Sequence, residues 1–176
     1  MTDENPTAEP FAPSVEELRE RNRAYAAQFF GATMSAPPAR NLAVVACMDA
    51  RLHVEELLGL GPGDAHIIRN AGGVITDDVI RSLTLSQRAL RTREIILIRH
   101  TRCGVSTIHA EASRSPPEAE VGFRPEWHTG AFSDAERSVR SSIAKLRATP
   151  FLPHVDHISG FVYDVDSGAI DPVDTD

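Results

Sequence analysis

Cysteine is scarce in this chain: Cys47 and Cys103 are the only two among 176 residues. With no export signal ahead of them, a disulfide scaffold is the weaker reading, which leaves two thiols for packing or for chemistry. A basic excess is also missing. The formal net charge is −7, which argues against general binding to nucleic acid or to an anionic membrane, since both need a basic surface. Aromatic residues are few and scattered, Trp127 among them, and give no platform for stacking bases. No apolar run is long enough to span a bilayer. Met1 to Pro13 is acidic and contains proline. It lacks the basic start and apolar stretch of a signal peptide, so it predicts a flexible leader (1–13) on a cytoplasmic protein.

What is present suits a globular domain. Hydrophobic residues make up 41% and charged residues 24%, close to globular averages, so wholesale disorder is excluded. The length fits a single domain over residues 14–176, large enough to bury a core unaided.

Ser14 with Glu17 three residues on predicts a capped helix start, with Val15, Leu18, Tyr25, Ala26 and Phe29 on one face and Gly31 as the stop. Leu42–Ala46 is a continuous apolar run, as expected of a strand buried on both faces. A short helix over His53–Leu58 ends at Gly59, and a turn follows at Gly61–Asp64. His66–Ile68 reads as a second strand. Thr76 caps a helix that carries Val79, Ile80, Leu83 and Leu90 inward, and Ile95–Ile98 forms a third strand ending at His100. Residues 111–131 read as loop. Ser133 with Glu136 predicts another capping box, ahead of a stripe of Ala135, Val139, Ile143 and Leu146. Ile158–Val165 is the last strand, followed by a turn at Asp166–Gly168. Strands alternating with helices predict an α/β fold with a mostly parallel sheet flanked by helices.

The chemistry-bearing residues cluster where strands end. The first strand delivers Cys47-Met48-Asp49-Ala50-Arg51, and the third delivers His100-Thr101-Arg102-Cys103. In open parallel sheets the loops at the carboxyl ends of strands build the ligand crevice. Cys47, His100 and Cys103 can therefore converge, although they are far apart in sequence. Thiolate and imidazole suit zinc, and three protein ligands leave a fourth position for water, the layout of a catalytic site. The bland alternatives are two core thiols and an Asp49–Arg51 salt bridge that only fixes a turn.

These segments, together with Ile68-Arg69-Asn70-Ala71-Gly72-Gly73 and Gly104, resemble the β class of carbonic anhydrases, closely from Asn41 to Cys103 and more loosely through Ser133–Val165. The resemblance implies one Zn²⁺ per subunit held by Cys47, His100 and Cys103, and a catalytic Asp49–Arg51 pair beside it. It also implies a homo-dimer or larger homo-oligomer in which the helix from Ser14 packs on the partner, and an antiparallel strand near the C-terminus. The implied reaction is reversible hydration of CO₂ to bicarbonate by attack of a zinc-bound hydroxide on the carbon. Asp49 would orient that hydroxide while Arg51 keeps Asp49 ionised. The motif departs at Arg102, where the family commonly has Asp or Gly, which leaves the charge of the entrance open.

Gly72, Gly73 and Val74 are candidates for the substrate pocket, with a plain turn as the alternative. Gly59-x-Gly61-x-Gly63 follows a helix and contains Pro62, so it is no nucleotide loop. His154 and His157 lack a third metal ligand. His53, His66 and His109 are candidate proton shuttles, each more ordinarily a surface or packing histidine. Two further functions stay open: hydrolysis of carbonyl sulfide or carbon disulfide on the same zinc site, and a zinc-binding module without turnover.

Overall fold

The computed structural model describes residues 12–29, 31, 34–107, 122, 130 and 132–175. Most of the expected leader, nearly all of the 111–131 loop, His109 and Trp127 lie outside the described residues. Those described fall into two compact units, one up to Met34 and one from Ser35.

The first unit contains helix α1 (Val15–Ala27). Ser14 stands at its N-cap, but the expected capping box does not form. Ser14 has φ −91° and ψ 10° and makes no side-chain cap bond, whereas a capping residue normally takes the extended region. Glu17 instead accepts from Arg21 at 2.6 Å. The helix closes at Gln28, earlier than the expected stop at Gly31. Its apolar face is present but open: Val15, Leu18, Tyr25 and Phe29 are 59%, 57%, 61% and 53% exposed.

The second unit is built on a five-stranded sheet. Its strands are β1 (Leu42–Cys47), β2 (Ala65–Asn70), β3 (Glu94–His100), β4 (Ile158–Tyr163) and β5 (Ile170–Pro172), in the order β2-β1-β3-β4-β5. The first three pairings are parallel and β4–β5 is antiparallel, matching the expected mostly parallel sheet with an antiparallel strand near the C-terminus. Helices α2 (Val54–Leu58), α3 (Asp77–Arg88), α4 (Gly104–Thr107) and α5 (Ala135–Ala148) connect and flank the strands.

Every residue of β1 is buried, as its unbroken apolar run requires. Alternation along the strands splits the core in two. Ala43, Val45, Ile95 and Leu97 pack with Val79 and Leu83 of α3 and with Val139, Ile143 and Leu146 of α5. Leu42, Val44, Ala46 and Ile98 pack with Leu52 and Val54 on the other face. The stripe on α5 is thus buried as its spacing implies. Its cap sits one residue later than expected, however, because Asp134, not Ser133, accepts from the Arg137 N–H at 3.0 Å. The final parallel strand stops at Tyr163 rather than Val165, because Asp164 Oδ1 draws the N–H groups of Asp166 and Ser167 into a turn at 2.8 and 2.9 Å.

From β1 the chain crosses to β2 on one side, and from β3 it crosses to β4 on the other. The carboxyl ends of β1 and β3 therefore flank the point where strand order reverses, where open α/β sheets bind ligands. Cys47 is the last residue of β1 and His100 the last of β3.

Candidate metal centre

Cys47, His100 and Cys103 are all buried, and their ligand atoms lie within 4.8 Å of one another, a group that could hold a metal ion. The two sulfurs are 3.9 Å apart and both thiols are free. Two sulfurs each about 2.3 Å from one tetrahedral zinc ion stand about 3.8 Å apart, so the observed spacing fits that ion without rearrangement.

The imidazole is set in the ligating tautomer. His100 Nδ1 donates to the Thr101 carbonyl at 2.9 Å, which leaves the Nε2 lone pair free. Nε2 is buried and has no hydrogen-bond partner among the described residues. A bare buried nitrogen is costly unless something binds it, and two sulfurs beside it complete a donor set suited to zinc.

The thiols are tuned in opposite directions. Burial raises the Cys47 thiol, but its neighbours, the backbone N–H groups of Asp49 and Gly72 among them, outweigh burial and bring it down to about 7. Burial pushes the Cys103 thiol up, and the neighbouring Cys47 adds to that, against the N–H groups of Val105 and Ser106.

Asp49 lies next to this group. Its Oδ2 is 3.7 Å from His100 Nε2. Arg51 holds the carboxylate with a fork, Nε to Oδ1 at 2.9 Å and Nη2 to Oδ2 at 2.7 Å, and its backbone N–H adds a bond to Oδ1 at 3.0 Å. Those bonds hold the Asp49 carboxyl well below the usual carboxylate range. Arg51 Nη2 also donates to the Arg102 carbonyl at 3.0 Å, so it ties the loop after β1 to the loop after β3. Arg102, at φ 50°, presents that carbonyl while its own guanidinium pairs with exposed Asp166. The residue that departs from the motif thus faces an acid at the surface.

Two residues without an expected role support the site. Arg69 donates to the carbonyls of Cys47 at 2.9 Å and Asp49 at 2.7 Å, fixing the Cys47–Asp49 turn. Arg99, immediately before His100, is fully buried. The signal for it was a charged residue inside the buried run Ile95–His100.

Gly72 and Gly73 form a 3₁₀ turn with Ala71 and are buried. A Cβ on Gly73 (φ 62°) would stand 2.8 Å from both Ala46 C and Cys47 N, so glycine lets this turn press against the strand that carries Cys47. Val74 lines a cavity of about 450 Å³ with Phe132, Arg137, Ser138, Ser142 and Lys145, among others; Cys47, His100, Cys103 and Asp49 do not line it. Among the described residues, the site does not gather His53, His66 or His157. His66 bonds with Ser86, His157 with neighbouring Asp156, and His53 stands at the N-cap of α2.

A family model described as carbonic anhydrase matches residues 42–131. The chain is 46% identical over 149 residues to β-carbonic anhydrase 1 of Mycobacterium tuberculosis, covering 85% of this chain and 91% of that protein. It is 35% identical over 156 residues to a carbon disulfide hydrolase of Acidianus sp., covering 74% of this chain and 76% of that protein. Among solved structures, the carbonic anhydrase of Streptococcus mutans matches with a TM-score of 0.85 at 40% identity, over 94% of this chain and 100% of that one.

Proposed function

The chain belongs to the β-class carbonic anhydrases, and we propose that it catalyses the reversible hydration of carbon dioxide to bicarbonate with one zinc ion per subunit held by Cys47, His100 and Cys103. The observation that carries the site assignment is the bare, buried Nε2 of His100 facing two free thiols. Zinc, when bound there, supplies the Lewis acidity that makes water a nucleophile near neutral pH.

The protein's own groups do the rest. Two thiolates cancel the formal charge of a divalent ion, so orientation of the attacking water counts for more. Asp49, kept as a carboxylate by Arg51, can only accept hydrogen bonds. It would therefore accept a hydrogen bond from the attacking water or hydroxide and leave an oxygen lone pair free for the carbon. Arg51 restrains Asp49 from turning toward the metal position, because it already engages both carboxylate oxygens. Gly72, Gly73 and Val74 are assigned to the substrate side of the centre.

A homo-oligomer, a dimer at least, is part of the same reading; its support is the uncovered apolar face of α1. No helix among the described residues is long and apolar enough to cross a membrane. A cytoplasmic setting would keep both cysteines reduced, as ligation needs.

The second reading is hydrolysis of carbonyl sulfide or carbon disulfide at the same centre, favoured by the relative named carbon disulfide hydrolase. Stopped-flow hydration of CO₂ by zinc-replete protein, with both sulfur substrates assayed on the same preparation and Cys103→Ala as control, separates the two. Fast CO₂ turnover lost in the control supports the first reading. Weak CO₂ turnover with brisk release of sulfide assigns the second.

A further inference from the structure

Arg99 is a buried cation without a carboxylate. It is 0% exposed, and its guanidinium is held entirely by neutral oxygens. Nε donates to Ser138 Oγ at 3.2 Å, Nη2 to Ser142 Oγ at 2.8 Å and Nη1 to the Gly73 carbonyl, while the Phe132 ring lies 5.9 Å away. No carboxylate pairs with it among the described residues. Arginine is seldom fully buried unless paired, and the contrast with Arg51, forked onto Asp49, is sharp.

We infer that Arg99 is a positioning residue of the metal centre: it clamps the Ala71–Gly73 turn to α5 and so holds the strand end that carries Cys47. The inference rests on the reading of Cys47, His100 and Cys103 as a zinc site. Alternation along β3 sends His100 toward the ligand group and Arg99 to the opposite face, toward α5. There the fork grips Gly73 O. Gly73 lies directly against the backbone of Ala46 and Cys47, where even a Cβ would stand 2.8 Å from Ala46 C and Cys47 N. A shift of Arg99 therefore becomes a shift of the Cys47 ligand. Lysine has three donors but on a single nitrogen, and lacks the planar fork that reaches Gly73, Ser138 and Ser142 from separate nitrogens.

The test uses full-length protein loaded with zinc or with cobalt(II). Arg99→Met, Arg99→Lys and the double variant Ser138→Ala/Ser142→Ala are compared with wild type. The readouts are zinc release to a chelator, the thiolate-to-cobalt absorption band, and far-UV circular dichroism for folding. Arg99→Met is expected to release zinc roughly 10–100-fold faster, the range for contacts just outside a metal's ligands, with a shifted cobalt band. Arg99→Lys should recover part of the retention. The serine variant, which keeps the charge and frees the fork, should fall between Arg99→Met and wild type.

A folded Arg99→Met that releases zinc at the wild-type rate with an unchanged cobalt band would mark an ordinary core residue and overturn the inference. If Arg99→Met does not fold, the serine variant decides: wild-type release and spectrum overturn it, faster release supports it. Failure of the wild type itself to hold zinc or cobalt would overturn the zinc-site reading, and this inference with it.

Discussion

Two histidines on the same sheet end in opposite states. His66 on β2 has both ring nitrogens engaged: Nε2 with the Ala36 carbonyl at 3.4 Å and Nδ1 with Ser86 Oγ at 2.8 Å, which bonds on to Thr92 Oγ1 at 2.7 Å. His100 on β3 has one nitrogen engaged and the other bare. The first is a closed network that holds α3 and its following loop to the sheet. The second is an open valence. Burial alone does not separate a structural histidine from a ligand; the state of the second nitrogen does.

Substitution at the two positions should widen that contrast. His100→Ala is expected to lose metal and to lower CO₂ hydration by more than the roughly 100-fold carried by contacts outside the ligand set, measured by metal analysis and stopped flow. His66→Ala should keep metal and turnover. Next in size is Asp49→Asn, which should retain zinc while kcat falls roughly 10²–10³-fold, the range for loss of one orienting hydrogen bond at the reacting centre. Full turnover in that variant would remove Asp49 from the chemistry.

Gly73→Ala asks whether the open valence depends on the turn beneath it. The new Cβ would meet the β1 backbone at 2.8 Å at a positive φ, so a stability loss of about 2–3 kcal/mol is expected in urea unfolding. Zinc retention should weaken in parallel. The smallest effect is expected on the closed side. Ser86→Ala cuts the His66–Ser86–Thr92 chain and should cost about 1–2 kcal/mol in the same unfolding experiment, with metal binding unchanged.

The contrast also marks how far the sequence alone could be read. Cys47-x-Asp49-x-Arg51 and His100-x-x-Cys103 were legible because each follows a continuous apolar run, and parallel strands bring their carboxyl ends to one edge. The state of His100 was not, since it depends on the Thr101 carbonyl and on what stands near Nε2. Arg99 carried a sequence signal, a charge within a buried strand, but its acceptors lie 26, 39 and 43 residues away. Ser133 and Asp134 are adjacent capping types, and only the extended backbone at Asp134 (φ −133°, ψ 115°) makes it the cap of α5. On α1 the apolar spacing is legible in the sequence but the cap is not, since Glu17 has a competing partner in Arg21.

The most direct test of the zinc centre is a titration of metal-free protein with zinc while CO₂ hydration is followed by stopped flow. Activity should rise in proportion to added zinc, level off at one equivalent per subunit and stay at background in His100→Ala. Full activity in the metal-free protein, or a zinc-saturated protein in which His100→Ala is as active as wild type, would contradict it.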